Sequence, residues 1–271
     1  MSRIFREVWL FFRRDLTIAR TYRILFVLEA VEALFGTATL YYVARLVDSP
    51  AVQRALPQRG SYFAFSLVGF VFLDYLNAAL NTFDNSLMEA RDSGTLEHVL
   101  VTQTSLPVFL AGSSIYPFVS TTVRIAVYIA WGAILFAFPL REANWLAVIG
   151  VLITSLLAFS GLGILSASYV LLFKRGNPAK WLFLGITSLT SGTLFPVSVL
   201  PRSLQFLARL NPVTYSLDAM RGALLAGSSV GALWRPLMVL LGFAVVLLPI
   251  SMTVFAWSLR RTKATGTLTH R

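Results

Sequence analysis

Long apolar segments constrain this chain more than any other feature. The hydrocarbon core of a bilayer is roughly 30 Å thick, and a helix of about 20 apolar residues can cross it. Hydrophobic residues make up 56% of the 271 residues and charged residues only 13%, whereas ordinary soluble domains carry roughly 25% charged residues. The composition therefore predicts an all-α integral membrane protein. We assign six spans, at residues 24–44, 62–87, 109–140, 145–173, 181–200 and 236–259.

The first 23 residues are basic and amphipathic. Ile4, Val8 and Phe11 recur near helical spacing among several arginines. This pattern predicts a helix that lies in the membrane interface, with its apolar side in the lipid and its arginines at the phosphates; a plain cytoplasmic tail is the alternative. We therefore divide the chain into an interfacial helix at 1–23, a transmembrane domain at 24–259 and a tail at 260–271.

The distribution of Lys and Arg predicts the orientation. Basic residues are concentrated in the N-terminal segment, in the loop at 174–180 and after residue 259. Such residues favour the cytoplasmic side of a membrane, so we predict a multi-pass protein of the plasma membrane with both termini cytoplasmic. The net charge of +11 is better explained by anionic headgroups than by nucleic acid. We therefore expect membrane lipids, and no nucleic acid, as partners.

A polar island at residues 89–106 separates the second and third spans. Asp92 or Ser93 can cap a helix there by accepting backbone N–H bonds, and Leu96 and Leu100 fall on one apolar stripe. The pattern predicts a short cytoplasmic helix at 92–102. A compact helix with one charged and one apolar side is suited to binding another protein.

The second predicted span carries four polar residues at intervals of three and four, so they share one helix face. Such a face cannot be exposed to lipid and must face other helices or water. We expect Asp84, near the cytoplasmic end, to be solvated, and Asp74, deeper in the span, to form a buried pair. The four residues are Asp74, Asn77, Asn81 and Asp84.

Three further charged residues lie inside predicted spans. Glu29 and Glu32 lie one helical turn apart in the first span, and Arg124 lies in the third. The two glutamates either line a pathway for a cationic or polar substrate, or pair with Arg124 or share protons inside the bundle. For Arg124 we favour pairing with an acid over contact with a substrate, because an unpaired charge in a membrane is expensive.

Small residues and turn residues mark two further regions. Gly161 and Gly163 in the fourth span would let a neighbouring helix approach closely. After the fifth span, residues 202–210 form a short amphipathic segment. Asn211 and Pro212 then have the residue types of an N-cap and a first helical position. We predict a pair of short helices within 202–226 that dip into the outer leaflet or pack on it.

The sequence offers no constellation for catalysis. His98 and His270 are its only histidines, and it has no cysteine. We predict no catalytic residues and no metal site, so the chain is not itself an enzyme.

Two motifs carry a family resemblance. The first is EARDSGTLE at 89–97, and the second is SGTLFP at 191–196, followed by LNPVTY at 210–215 and by Arg221. In this order and spacing, over nearly the whole chain, the sequence resembles the permease subunits of ABC type-2 exporters. The resemblance implies an interfacial N-terminal helix, six spans, and a coupling helix that fits a groove on an ATP-binding subunit. The implied coupling residues are Asp92, Gly94, Thr95, Leu96, Glu97, His98 and Leu100.

The resemblance also implies partners and cargo. ATP and Mg²⁺ would be bound by a separate ATP-binding cassette subunit, because this sequence has no GxxxxGK[ST] loop to cradle phosphates. No cofactor is expected in this chain. A second permease chain, identical or paralogous, would complete the transporter, and a drug-like, lipid or glycan cargo would be exported by alternating access.

Two other functions stay open. A proton-coupled secondary transporter would use Glu29, Glu32 and Asp74 as proton carriers and would work without any ATPase. A membrane enzyme acting on a lipid or quinone would need a catalytic cluster at one interface, whereas the polar residues here are spread along several spans.

Overall fold

The computed structural model describes residues 2–21, 23–47, 49–56, 61–92, 106–173 and 177–264. Across these residues the regular structure is helical, with one 3-10 turn at Val197–Val199 and no β-strand. The α-helices are α1 (Ser2–Thr21), α2 (Arg23–Val47), α3 (Pro50–Ala55), α4 (Tyr62–Asp92), α5 (Leu106–Phe136), α6 (Trp145–Phe173), α7 (Pro178–Thr190), α8 (Arg202–Arg209), α9 (Pro212–Leu225) and α10 (Trp234–Ala264).

Five of these helices, α2, α4, α5, α6 and α10, are long and apolar enough to cross a membrane. They match the first four predicted spans and the last one, which confirms an all-α membrane protein. The fifth predicted span, at 181–200, does not form one long helix and is not among these five. Helix α7 has 13 residues and ends at Thr190, so it is roughly 20 Å long and shorter than a hydrocarbon core of roughly 30 Å.

Helix α6 lies at the centre of the bundle and contacts α4, α9 and α10. Its small residues allow the close packing that the sequence predicts. A Cβ atom on Gly161 would lie 2.7 Å from the Cβ of Leu247 in α10, and one on Gly163 would overlap the Ala79 carbonyl of α4. Any larger side chain at these positions would push the helices apart.

Helices α1 and α2 both pack against α5. The Phe11 ring of α1 meets the Phe109 ring edge to face, with centroids 6.3 Å apart, and lies where a side chain on Gly112 would be. The indole of Trp131 donates to the Ala30 carbonyl of α2. The remaining apolar surface of α2 is exposed, as expected of a helix in lipid.

The segment between α7 and α10 forms two short helices, close to the predicted positions. Asn211 accepts a hydrogen bond from the Val213 N–H, and Pro212 is the first residue of α9. The chain reaches these helices through a non-helical stretch that follows Thr190, in which Gly192 has a φ of +82°. A left-handed residue at this point is strained for any residue but glycine, and it turns the chain away from the axis of α7.

Two predicted boundaries require comment. Helix α10 continues to Ala264, beyond the predicted start of the tail at 260. Asp92 is the last residue of α4, and the rest of the predicted coupling helix, including Gly94, Thr95, Leu96, Glu97, His98 and Leu100, lies outside the described residues.

Candidate functional site

One face of α4 forms the wall of a large cavity. Polar and small residues recur along it at intervals of three and four, from Asp74 in the middle of the helix to Glu89 near its C-terminal end. Fifteen residues of α-helix span about 22 Å, so the cavity follows roughly half of α4. The lining residues of α4 are Asp74, Asn77, Ala78, Asn81, Thr82, Asn85, Ser86 and Glu89.

Helices α1, α2 and α5 enclose this face and complete a cavity of about 950 Å³. The wall from α1 and α2 is largely apolar and includes Phe11, Ile18 and Phe26. The wall from α5 is mixed and includes Tyr116 and Arg124. The volume is near the upper end of the range of small-molecule sites, roughly 300–1,000 Å³.

An ion pair lies at the deep end of the cavity. The Arg124 guanidinium is 2.9 Å from the Asp74 carboxylate, and both side chains are about one-quarter exposed, at 30% and 26%. The structure thus brings together the two residues for which the sequence favours structural pairing. Pairing offsets the cost of each charge inside a membrane, while the residual exposure leaves both groups in contact with the cavity.

The two glutamates of α2 have different positions. Glu29 is half-buried and lines the cavity. Glu32, one turn further along, is exposed and is not part of the lining. Of the predicted pathway residues, the structure therefore brings Glu29, Asp74, Asn77, Asn81 and Arg124 to one cavity, and Glu32 lies beside it.

The expectation that Asp84 is solvated is wrong. Only 3% of this residue is exposed. Its carboxylate lies 3.0 Å from the Lys180 ammonium and accepts a 2.9 Å hydrogen bond from the Ser166 hydroxyl. Lys180 also donates to the side chain of Asn81 at 2.8 Å. The sequence pattern places Lys180 in a basic loop, but the residue lies in the first turn of α7. There its ammonium group pairs with the buried Asp84 carboxylate.

Asn177 adds a direct link between α6 and α7. Its side-chain oxygen caps α7 by accepting from the Lys180 N–H, and its amide donates to the Ser166 hydroxyl of α6 at 2.8 Å. The resulting cluster, Asp84, Ser166, Asn177 and Lys180, joins α4, α6 and α7 at one end of the bundle. We call it the inner network.

A second buried cluster lies at the opposite end of α4. Arg221 of α9 is 1% exposed, and its guanidinium donates to the carbonyls of Gly192 and Thr193 and of Phe65 in α4, at 2.8–3.0 Å. The same group stacks on the Phe65 ring at 3.5 Å. Gly69 has no room for a side chain, because a Cβ atom there would overlap the Thr193 carbonyl. We call these residues the outer clamp. This name and that of the inner network follow the orientation that the sequence predicts, with both termini cytoplasmic.

Arg221 keeps its charge in this environment. It lies in α9, outside the five long helices, and its burial lowers its pKa to about 9, while the nearby Asp218 carboxylate acts in the opposite direction. The guanidinium is therefore protonated at neutral pH. The sequence contains Arg221 within a motif but gives no sign of its role, because its carbonyl partners are far away in the chain.

These features define a multi-pass, all-α membrane protein with a polar cavity between helices, the class to which membrane permeases belong. The family model for the ABC-2 type transporter matches residues 3–225. This match covers most of the chain and includes every helix from α1 to α9. The chain therefore belongs to the ABC-2 type transporter family.

Two relatives are similar in sequence, and one of them is named as a permease. The inner membrane transport permease YadH of Escherichia coli K12 is 26% identical over 227 residues, which are 82% of this chain and 84% of that protein. The uncharacterized protein YhgE of Bacillus subtilis is 32% identical over 123 residues, or 44% of this chain, but this region is only 15% of YhgE. The chain is thus a membrane permease of the ABC transporter class.

Proposed function

We propose that the chain is the permease subunit of an ATP-driven exporter, and that its cargo enters through the cavity between α1, α2, α4 and α5. The observation that carries this proposal is the position of the cavity. It begins at the C-terminal end of α4, beside α1, and this is the end from which the predicted coupling helix departs. With both termini cytoplasmic, the cavity would open towards the cytoplasm or the inner leaflet, where an exporter takes up its cargo.

The proposed topology has six crossings. The long helices α2, α4, α5, α6 and α10 provide five, and α7 with the irregular segment after it provides the sixth. Helix α1 would lie in the inner interface, and α8 and α9 would be the re-entrant helices of the outer leaflet. A broken crossing of this kind is compatible with a membrane where its free backbone groups are satisfied by protein, and Arg221 binds two such carbonyls.

The proposed partners follow from the family. A helix at 92–102 would fit a separate ATP-binding subunit, which would bind ATP and Mg²⁺, and Glu97 would meet a basic or hydrogen-bonding group there. This chain would not itself be catalytic. A second permease chain, identical or paralogous, would complete the transporter in the plasma membrane.

The contacts of α4 suggest how motion would reach the cargo. Helix α4 ends at Asp92, where the proposed coupling helix would begin, and its polar face lines the cavity. Lys180 ties the same end of α4 to α7 through Asp84, so a displacement there would move both helices. Closure of two ATP-bound subunits would then change the cavity from inward-facing to outward-facing.

The test is purification of the chain from its native membrane in mild detergent, followed by an ATPase assay. We expect a co-purifying ATP-binding subunit with vanadate-sensitive turnover. Glu97→Lys should abolish association or export while membrane insertion stays normal. Glu142→Lys, a charge reversal at an exposed residue of the loop between α5 and α6, is the matched control and should retain both.

Two results would overturn the proposal. One is normal export by the Glu97→Lys variant. The other is transport that continues without any ATPase and stops when the proton gradient is dissipated, which would favour the proton-coupled alternative and make Glu29, Glu32 and Asp74 the next residues to test.

A further inference from the structure

We infer that the cavity binds an amphipathic organic cation, which is the cargo of the exporter. As a statement about cargo this inference rests on the proposed function. As a statement about binding it rests on the charge, the aromatic rings and the shape of the cavity alone.

The charge of the lining favours a cation. Four carboxylates line the cavity, those of Asp15, Glu29, Asp74 and Glu89, but only two guanidinium groups do. Both guanidiniums have acidic partners in the lining: Arg14 lies 2.8 Å from Asp15, and Arg124 pairs with Asp74. With Glu89 left out because it has a partner of its own, three carboxylates face two guanidiniums. The described lining then has a formal net charge of minus one, and an anionic cargo would be repelled. Charges act more strongly in such a partly desolvated space than in bulk water.

The aromatic rings of the cavity also favour a cation. Rings of Phe11, Phe26, Phe109 and Tyr116 form part of the walls, and the face of an aromatic ring attracts a positive charge. Glu29 lies on the same helix as Phe26, three residues further along. A cationic group near this helix would therefore have both a carboxylate and an aromatic ring close by.

A proline in α5 adds a further acceptor. Pro117 lies inside the helix and lacks an N–H, so the Ser113 carbonyl loses the donor that a regular helix would provide. Both residues line the cavity. A carbonyl released in this way would add negative potential to a cavity whose lining has more carboxylates than guanidiniums.

The two-sided wall specifies an amphipathic ligand. The α4 side presents mainly amide and hydroxyl groups, whereas the α1 and α2 side combines an apolar surface with three charged groups. The apolar residues are Phe11, Ile18, Leu25 and Phe26, and the charged ones are Arg14, Asp15 and Glu29. A small hydrated ion would leave the apolar side unused, and a purely apolar molecule would desolvate the amides without replacing their hydrogen bonds. A drug-sized cation with an apolar body satisfies both sides and suits a volume of about 950 Å³.

The test measures binding to the purified permease without ATP, with two probes of nearly the same size and opposite charge. These are tetraphenylphosphonium and tetraphenylborate, measured by equilibrium dialysis. We expect saturable binding of the cation and at least about tenfold weaker binding of the anion. Glu29→Gln preserves the shape of the side chain and should weaken cation binding about tenfold, the effect of roughly 1.4 kcal/mol. Asn85→Asp adds a carboxylate to the same lining and should strengthen it.

The control is Glu142→Gln, which neutralises an acid outside the cavity and should leave binding unchanged. Equal binding of the two probes, or unchanged cation binding in both Glu29→Gln and Asn85→Asp, would overturn the inference. This result is separate from the ATPase assay above. If the chain binds the cation but has no ATP-binding partner, the cation site stands and the exporter proposal fails. If the chain is an active exporter but its cavity has no charge preference, the exporter proposal stands and the cation site fails.

Discussion

The two halves of α4 differ in their surroundings. The N-terminal half, around Phe65 and Gly69, is almost completely buried and is held by the outer clamp. The C-terminal half has one face on an open polar cavity and is held on its other side by the inner network. One continuous helix thus combines a close-packed end with an end that has space to move. This difference indicates that the outer end of α4 is an anchor. Substitutions at this end should therefore lower the stability of the protein more than substitutions at the cavity end.

The largest effect is expected at the outer clamp. Arg221→Met would remove the donors to three buried carbonyls and the stacking on Phe65. Each unsatisfied buried group costs about 1–3 kcal/mol, so the variant should lose roughly 4 kcal/mol or more of stability. The measurement is the thermal midpoint of the detergent-solubilised protein. The midpoint of Arg221→Lys is expected to lie between those of the wild type and Arg221→Met. An unchanged midpoint for Arg221→Met would show that the clamp does not anchor α4.

A smaller effect is expected at the inner network. Lys180→Met would leave the buried Asp84 carboxylate without its counter-charge, and removal of one partner from a buried ion pair costs about 3–5 kcal/mol. Access from the adjacent cavity should reduce this to about 3 kcal/mol or less. The double variant Lys180→Met/Asp84→Asn should regain most of the lost thermal stability, because no unpaired charge is left. A double variant as unstable as the single one would contradict the pairing.

Gly69→Ala tests close packing at the outer end without removing any hydrogen-bonding group. The new methyl would collide with the Thr193 backbone, and overpacking of this kind costs about 1–3 kcal/mol. Gly150→Ala in α6 is the matched control, because a Cβ atom there meets nothing within 4 Å. We expect a lower thermal midpoint for the first variant and an equal or higher one for the second. Equal changes in both would mean that helix propensity, not contact with the clamp, determines the result.

The smallest effect is expected on the cavity side. Asn85 is exposed within the cavity, and Asn85→Ser should change stability by less than about 0.5 kcal/mol, as is usual for substitutions away from packed contacts. A thermal midpoint that falls as far as that of Gly69→Ala would show that the inner half of α4 is packed as closely as the outer half.

Local sequence patterns predict much of this fold. Hydropathy locates five long helices, and the Asn211-Pro212 pair marks the start of α9 because both residues act on the backbone next to them. The spacing of polar residues in α4 identifies the face that lines the cavity through Asp74, Asn77 and Asn81, since helical periodicity is a local property. The fourth residue of the pattern, Asp84, is buried outside the lining. The break within the fifth predicted span is not visible in the hydropathy. Hydropathy measures composition and cannot detect that the helix ends at Thr190.

The remaining features depend on contacts between distant parts of the chain. Asp84 is predicted to be solvated because nothing near it in the sequence identifies Lys180, 96 residues away, as its partner. The role of Arg221 is missed for the same reason, because Phe65 is 156 residues away. Glu29 and Glu32 look equivalent in sequence, and only the packing of α2 against α4 and α5 distinguishes the one that lines the cavity.

The pairing of Asp84 with Lys180 has a consequence for how the protein can evolve. Loss of either residue alone leaves a buried charge, whereas loss of both leaves none. Mutations at the two positions should therefore accumulate together, and an intermediate that carries only one of them should be selected against. An alignment of relatives would then fall into two groups, one with an acid and a base at these positions and one with neither. Sequences with a single charge there should be rare.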